Sequence, residues 1–190
     1  MSEQHLLRQR RNFTALVVIA VLAHLGWEYF NGGIASHHLL NRADLPAISN
    51  GWGLLLLPVL TWFLVGRVHR RVALASGRQA AANTLPASVV VGFAASLLFG
   101  VALSVAFTNG YDQVAAVLFG SMLLLAVGLP VYRAECLLGF VLGMTFTFGG
   151  VLPTLIGSIL AAVSALVHLY AVPLVASVWS WFRRGRLASG

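Results

Sequence analysis

The sequence has no lysine, one cysteine and few carboxylates. Cys136 is alone in 190 residues, so an intrachain disulfide and a cysteine-based metal cluster are both excluded. Five acidic and twelve basic residues make 9% of the chain charged, against about 25% in a soluble domain. The hydrophobic share is 59%, and so little polar surface cannot cover it in water. The usual site signatures are missing too. There is no HExxH or HxxxH, no paired ExxH of the di-iron bundles, no serine elbow, no Walker loop, no GxGxxG and no CxxC. No internal repeat supports an inverted-repeat transporter.

What is present is a series of long apolar runs, and runs of about 18 residues or more read as membrane spans. They predict an all-α integral membrane protein, a bundle of six transmembrane helices over residues 13–182. The spans are expected at about Phe13 to Phe30, Gly51 to Val68, Leu85 to Phe107, Tyr111 to Leu129, Ala134 to Phe148 and Pro153 to Phe182. The last is long enough to tilt, or to bend at Pro173. The first run ends in Trp27-Glu28-Tyr29-Phe30 without a small-residue cleavage site, which predicts a retained helix.

Charge placement sets the orientation. The net charge is +7, carried by arginine in short clusters between the apolar runs. With the N-terminus cytoplasmic, every one of the twelve arginines except Arg42 falls on the inner side. The positive-inside rule favours that orientation, with both termini cytoplasmic. Tails 1–12 and 183–190 and a basic loop over 67–84 would then lie inside, and the 31–50 loop outside. The expected home is a bacterial cytoplasmic membrane. Arginine clusters at span ends suit anionic headgroups better than nucleic acid, and no nucleic-acid partner is expected.

Span three carries a packing signal. Ser88, Gly92, Ser96, Gly100 and Ser104 recur every four residues, a strip of small side chains that lets another helix approach closely. Its plain use is packing within the chain. The sharper one is a homo-oligomer or membrane-partner interface.

Ionisable residues inside a span are costly and mark candidate sites. His24 lies roughly 9 Å from the outer end of span one and Glu28 within about 3 Å of it. A spacing of four puts both on one helix face. Asp112 opens span four at the same side. The outer loop adds His37, His38, Arg42, Asp44 and Asn50, with Leu39, Leu40, Leu45 and Ile48 interleaved, so it should lie on or re-enter the membrane surface. A long polar loop among short ones is where function tends to sit. His168 is expected in the inner half, and Glu135, two residues after Arg133, in an ion pair at the inner surface.

The candidate metal ligands are His24, His37 and His38, for zinc or iron. Glu28 or Asp44 would act as base or ligand, and Arg42 as an anion clamp. A catalytic metal needs about three protein ligands and an open position. The plainer alternative is that His24 and Glu28 bond to each other along a polar seam. Three functions are compatible with this pattern: a membrane-embedded enzyme, with or without metal assistance, acting on a lipid-like substrate at the outer leaflet; a small transporter or substrate-capture subunit for a cation, proton or small solute; and a non-catalytic subunit of a larger membrane complex.

Overall fold

A computed structural model describes residues 3–38, 44, 47–75 and 85–187, with backbone alone for residues 3, 37, 38 and 181–187. Among the described residues the regular structure is helical apart from one short hairpin. Helix α1 (Glu3–Phe30) leads into strands β1 (Ser36–His38) and β2 (Ala47–Ser49), then a single tight turn at Asn50–Trp52. Helices α2 (Gly53–Ala75), α3 (Ala87–Thr108), α4 (Asp112–Gly128), α5 (Ala134–Phe148), α6 (Val151–Leu166) and α7 (Val172–Leu187) follow. Four helical stretches are long and apolar enough to cross a membrane: Gln4–Phe30, Asn50–Ala75, Ala87–Thr108 and Val151–Ser180. The shorter α4 and α5 have 17 and 15 residues.

Helix α5 is short because it is the core. Leu138, Gly139, Phe140, Val141, Gly143 and Met144 are all buried on it, packed between α3, α6 and α2. A helix surrounded by protein need not match the thickness of the lipid around it. Helix α3 lies parallel to α5 in the closest approach of the bundle. A Cβ on Gly100 would come within 2.7 Å of the Phe140 carbonyl oxygen. Cβ atoms on Gly139 and Gly143 would collide with the Phe93 and Leu97 carbonyls. Ser104 Oγ donates to the Gly143 carbonyl at 3.3 Å. Gly92, Gly100 and Ser104 of the strip thus meet α5 of the same chain, while Ser88 is exposed. Leu16, Ile19, Leu22, Leu98, Val117 and Leu124 face outward, as on a lipid-facing surface.

Contacts sort the chain into two ends. Arg71 of α2, Glu135 of α5, Leu129 after α4 and Ser164 of α6 share one, the basic end. Glu28 of α1, the hairpin, Asn50 and the α5–α6 turn share the other, the hairpin end.

Three boundaries differ from the sequence reading. Helix α1 begins at Glu3, so Arg8, Arg10 and Arg11 lie on the helix. Helix α2 runs on to Ala75, so Arg67, His69, Arg70 and Arg71 ride its last turns instead of a loop. The sixth run is not one regular helix: a π turn at Val167–Ala171 separates α6 from α7. Pro173 has no N–H for the carbonyl four residues back and crowds it, and the wider turn just before absorbs the clash. Residues of α7 such as Leu174, Val175, Val178 and Trp179 are exposed.

The α3–α5 contact makes a direct prediction. Gly143→Leu should overlap the Leu97 carbonyl and destabilise the bundle by about 1–3 kcal/mol or more. Gly120→Leu is the control, because a Cβ there meets nothing within 4 Å. Thermal unfolding in mild detergent should show a lowered midpoint for the first variant and an unchanged one for the second.

Candidate functional site

The site begins where α1 stops. Gly32 (φ 123°) and Gly33 (φ 101°) adopt left-handed backbone that glycine tolerates best, and they turn the chain back over the last helical turn. The Gly33 N–H donates to the Glu28 carbonyl at 3.0 Å. The returning strand then passes the Glu28 side chain, and the Ala35 N–H donates to Oε2 at 3.3 Å. Strand β1 pairs with β2 antiparallel, His37 opposite Ile48 and His38 opposite Ala47. That pairing delivers Asn50, whose own N–H donates to the Ala35 carbonyl at 2.9 Å. Ser49 caps the following turn by accepting from the Gly51 N–H at 3.2 Å.

Asn50 Nδ2 donates to Glu28 Oε1 at 2.6 Å. Both residues are buried, at 7% and 5% exposure. A carboxylate taken out of water needs such donors, because an unpaired buried charge is far costlier than a paired one. The other side of Asn50 abuts the α5–α6 turn. Gly149 has φ 68°, and its missing side chain is where the Asn50 amide oxygen sits. Gly150 packs beside it on Gly53 and Leu57. Only glycine satisfies both backbone and space at 149.

His24 lies one turn before Glu28, its Nε2 3.3 Å from Glu28 Oε1. The distance fits an ion pair, yet neither ring nitrogen makes a hydrogen bond, and both are buried. A hydrogen bond requires alignment as well as proximity, and the ring is close to the carboxylate without being aligned on it. The ring packs on Phe146 of α5 with centroids 4.7 Å apart. His24 and Glu28 thus lie within ion-pair distance, and Asn50 adds the hydrogen bond that the carboxylate accepts.

The remaining candidates separate. Asp44 is exposed in the connection between the strands. Arg42 lies outside the described residues, as do the side chains of His37 and His38. Asp112 is exposed in the first turn of α4, where a carboxylate complements the helix N-terminus. No contact joins it to Glu28 among the described residues. His168 sits at the opposite end, its Nδ1 2.9 Å from the Ser164 carbonyl and its ring near Tyr132. Glu135 is ion-paired, but its partner is Arg71 of α2 at 2.6 Å, not the neighbouring Arg133. Among the described residues no three His, Cys, Asp or Glu side chains converge as metal ligands. His24 and Glu28 supply two donors at most, so zinc or iron would need a third from His37 or His38.

Sequence reasoning did not single out Gly149, nor the role of Asn50 as the donor to Glu28. A glycine pair closing a span, together with an asparagine opening another, was the available signal.

Asn50→Ala should cost about 1–3 kcal/mol by stranding the Glu28 carboxylate. Glu28→Gln combined with Asn50→Ala should cost less than the two single changes added together, the mark of residues in contact. Unfolding in detergent for all three variants measures this directly. Comparisons with family models, with curated proteins and with solved structures returned no match to the chain, so geometry alone carries the functional argument.

Proposed function

We propose that the chain is a six-crossing membrane protein with cytoplasmic termini, and that its hairpin end faces outward as an acid–base site. On this reading it is a membrane-embedded enzyme that hydrolyses or transfers a group on a lipid-like substrate at the outer leaflet. One observation carries the proposal. His24 has two buried ring nitrogens without a hydrogen-bond partner, beside a carboxylate that Asn50 and the Ala35 N–H hold in place. A structural histidine is ordinarily satisfied by its neighbours. An imidazole left open beside a fixed carboxylate is equipped to take a proton, with the carboxylate 3.3 Å away stabilising the imidazolium that forms.

In this mechanism His24 is the general base and Glu28 the charge that stabilises its protonated form. The substrate hydroxyl or an attacking water supplies the proton. The buried nitrogens require the packing around His24, including the Phe146 ring, to shift before substrate reaches them, a conformational step of the kind that gates many enzymes. A divalent metal held by His24 and Glu28 with a hairpin histidine would instead supply a Lewis acid. Transport is the weaker reading. Val17, Val21, Leu57 and Val141 form a tight apolar cluster between the two polar ends, and that packing argues against a continuous polar route.

The topology is tested with single cysteines in a Cys136→Ser background. A membrane-impermeant maleimide should label Asn109→Cys in intact cells and Arg70→Cys only after permeabilisation. The reverse pattern would sink the outward-facing site.

The activity is tested on purified protein in nanodiscs of bacterial phospholipid extract, with lipid products followed by mass spectrometry. Wild type should turn over lipid, and His24→Ala should lower the rate by about 100-fold or more without a comparable loss of thermal stability. Equal rates, or no turnover by wild type, would remove the enzyme reading. Elemental analysis of the same samples separates the two chemistries: stoichiometric zinc or iron that His24→Ala abolishes means a metal, and its absence leaves the imidazole as base.

A further inference from the structure

At the basic end, away from the His24–Glu28 site, a cavity of about 510 Å³ opens between α1, α2, α3 and α5. That is the size of a small-molecule site, which typically spans about 300–1,000 Å³. Its walls are mostly apolar, with Phe13, Leu16, Val90 and Phe93 among them, and Gln9, Asn12, His69 and Glu135 are its polar members. The rings of Phe13 and Phe93 meet edge to face at 6.0 Å. Leu16 and Val90 are 60% and 52% exposed, so the cavity has a mouth on the flank of the bundle, where lipid chains would lie.

The polar end of the cavity is unusual. Glu135 is 2% exposed and gives one oxygen to Arg71 at 2.6 Å. Its other oxygen, Oε2, is buried with no hydrogen-bond partner. Gln9, which also lines the cavity, buries an amide oxygen with none. Both unpartnered atoms are acceptors, so an occupant that satisfies them must bring donors. Arg71 already offsets the Glu135 charge. Arg10 follows Gln9 on α1, donating to the Trp62 carbonyl at 2.7 Å while lying 4.0 Å over the Trp62 ring. A cationic head would meet these arginines, and an anionic head would meet two oxygen acceptors. A neutral head with O–H donors fits both constraints.

We propose that this cavity binds a neutral, hydroxyl-headed amphiphile that enters sideways from the bilayer, its hydroxyls donating to Glu135 Oε2 and Gln9 Oε1 and its chain lying against Phe13, Val90 and Phe93. This site is independent of the acid–base reading at the hairpin end, and its test does not measure turnover.

The test uses the full chain in phospholipid nanodiscs with a diazirine-bearing dioctanoylglycerol as the probe. Labelling should be saturable, competed by unlabelled dioctanoylglycerol, and mapped to peptides of α1 and α3. Glu135→Ala should weaken it by about tenfold or more. That variant strands Arg71 and can fail to fold, so Val90→Trp is made beside it: it plugs the exposed mouth without touching the ion pair and should abolish labelling. Farnesol competing as well as dioctanoylglycerol would assign a hydroxyl head of any chain type, and weaker competition would assign a glycerolipid; both support the site. Non-saturable labelling, labelling unchanged in Val90→Trp, or stronger competition by hexadecylamine or palmitate would overturn it.

Discussion

Removing a carboxylate from water costs far more than any single contact returns, so Glu28 can be buried only if several donors converge on it. Much of the architecture at the hairpin end follows from that requirement. The two left-handed glycines after α1 turn the chain so that the Ala35 N–H reaches one oxygen. The strand pairing then sets Asn50 on the other. Asn50 in turn occupies the space beside Gly149, which fixes the turn between α5 and α6. One charged group thereby registers α1, α2 and the start of α6 against one another.

The opposite end repeats the device with a different partner. Glu135, at the start of α5, is buried against Arg71 near the end of α2. Helices α2 and α5 are thus tied near both ends, by Asn50 against Gly149 and by Arg71 to Glu135. Between the ties the packing is mostly apolar, with Leu57 and Val141 fully buried and the Thr61 hydroxyl the polar exception on α2. In lipid, apolar surface alone gives helices little reason to associate, so close packing of small residues and polar bonds must do it. The α3–α5 glycines supply the first and these two buried carboxylates the second.

The membrane class was legible because it rests on bulk properties: few charges and long apolar runs. The strip on α3 was legible because helical periodicity places every fourth residue on one face. The helix boundaries at the basic end were not. Arginine reads as loop by polarity, yet a long side chain can reach water or headgroups from a helix turn, so α1 and α2 extend through their arginine clusters. The pairing of His24 with Glu28 followed from spacing within one helix. The stronger bond to Asn50 spans 22 residues, and that of Glu135 to Arg71 spans 64. Neither separation is encoded in any local pattern; both come from how the helices pack.

This arrangement bears on what the two polar ends can do together. The cluster of Val17, Val21, Leu25, Leu57 and Val141 fills the space between them, and an apolar core of that kind offers water few polar partners. Yet α1, α2 and α5 each contribute to both ends: α1 carries Gln9 and Glu28, α2 carries Arg71 and follows directly on Asn50, and α5 runs from Glu135 to the turn at Gly149. Coupling between the ends therefore has a mechanical route and no evident proton wire. A ligand that spread α1 from α3 at the basic end would lever α1 against Asn50 at the other, since a close-packed interior transmits strain instead of absorbing it.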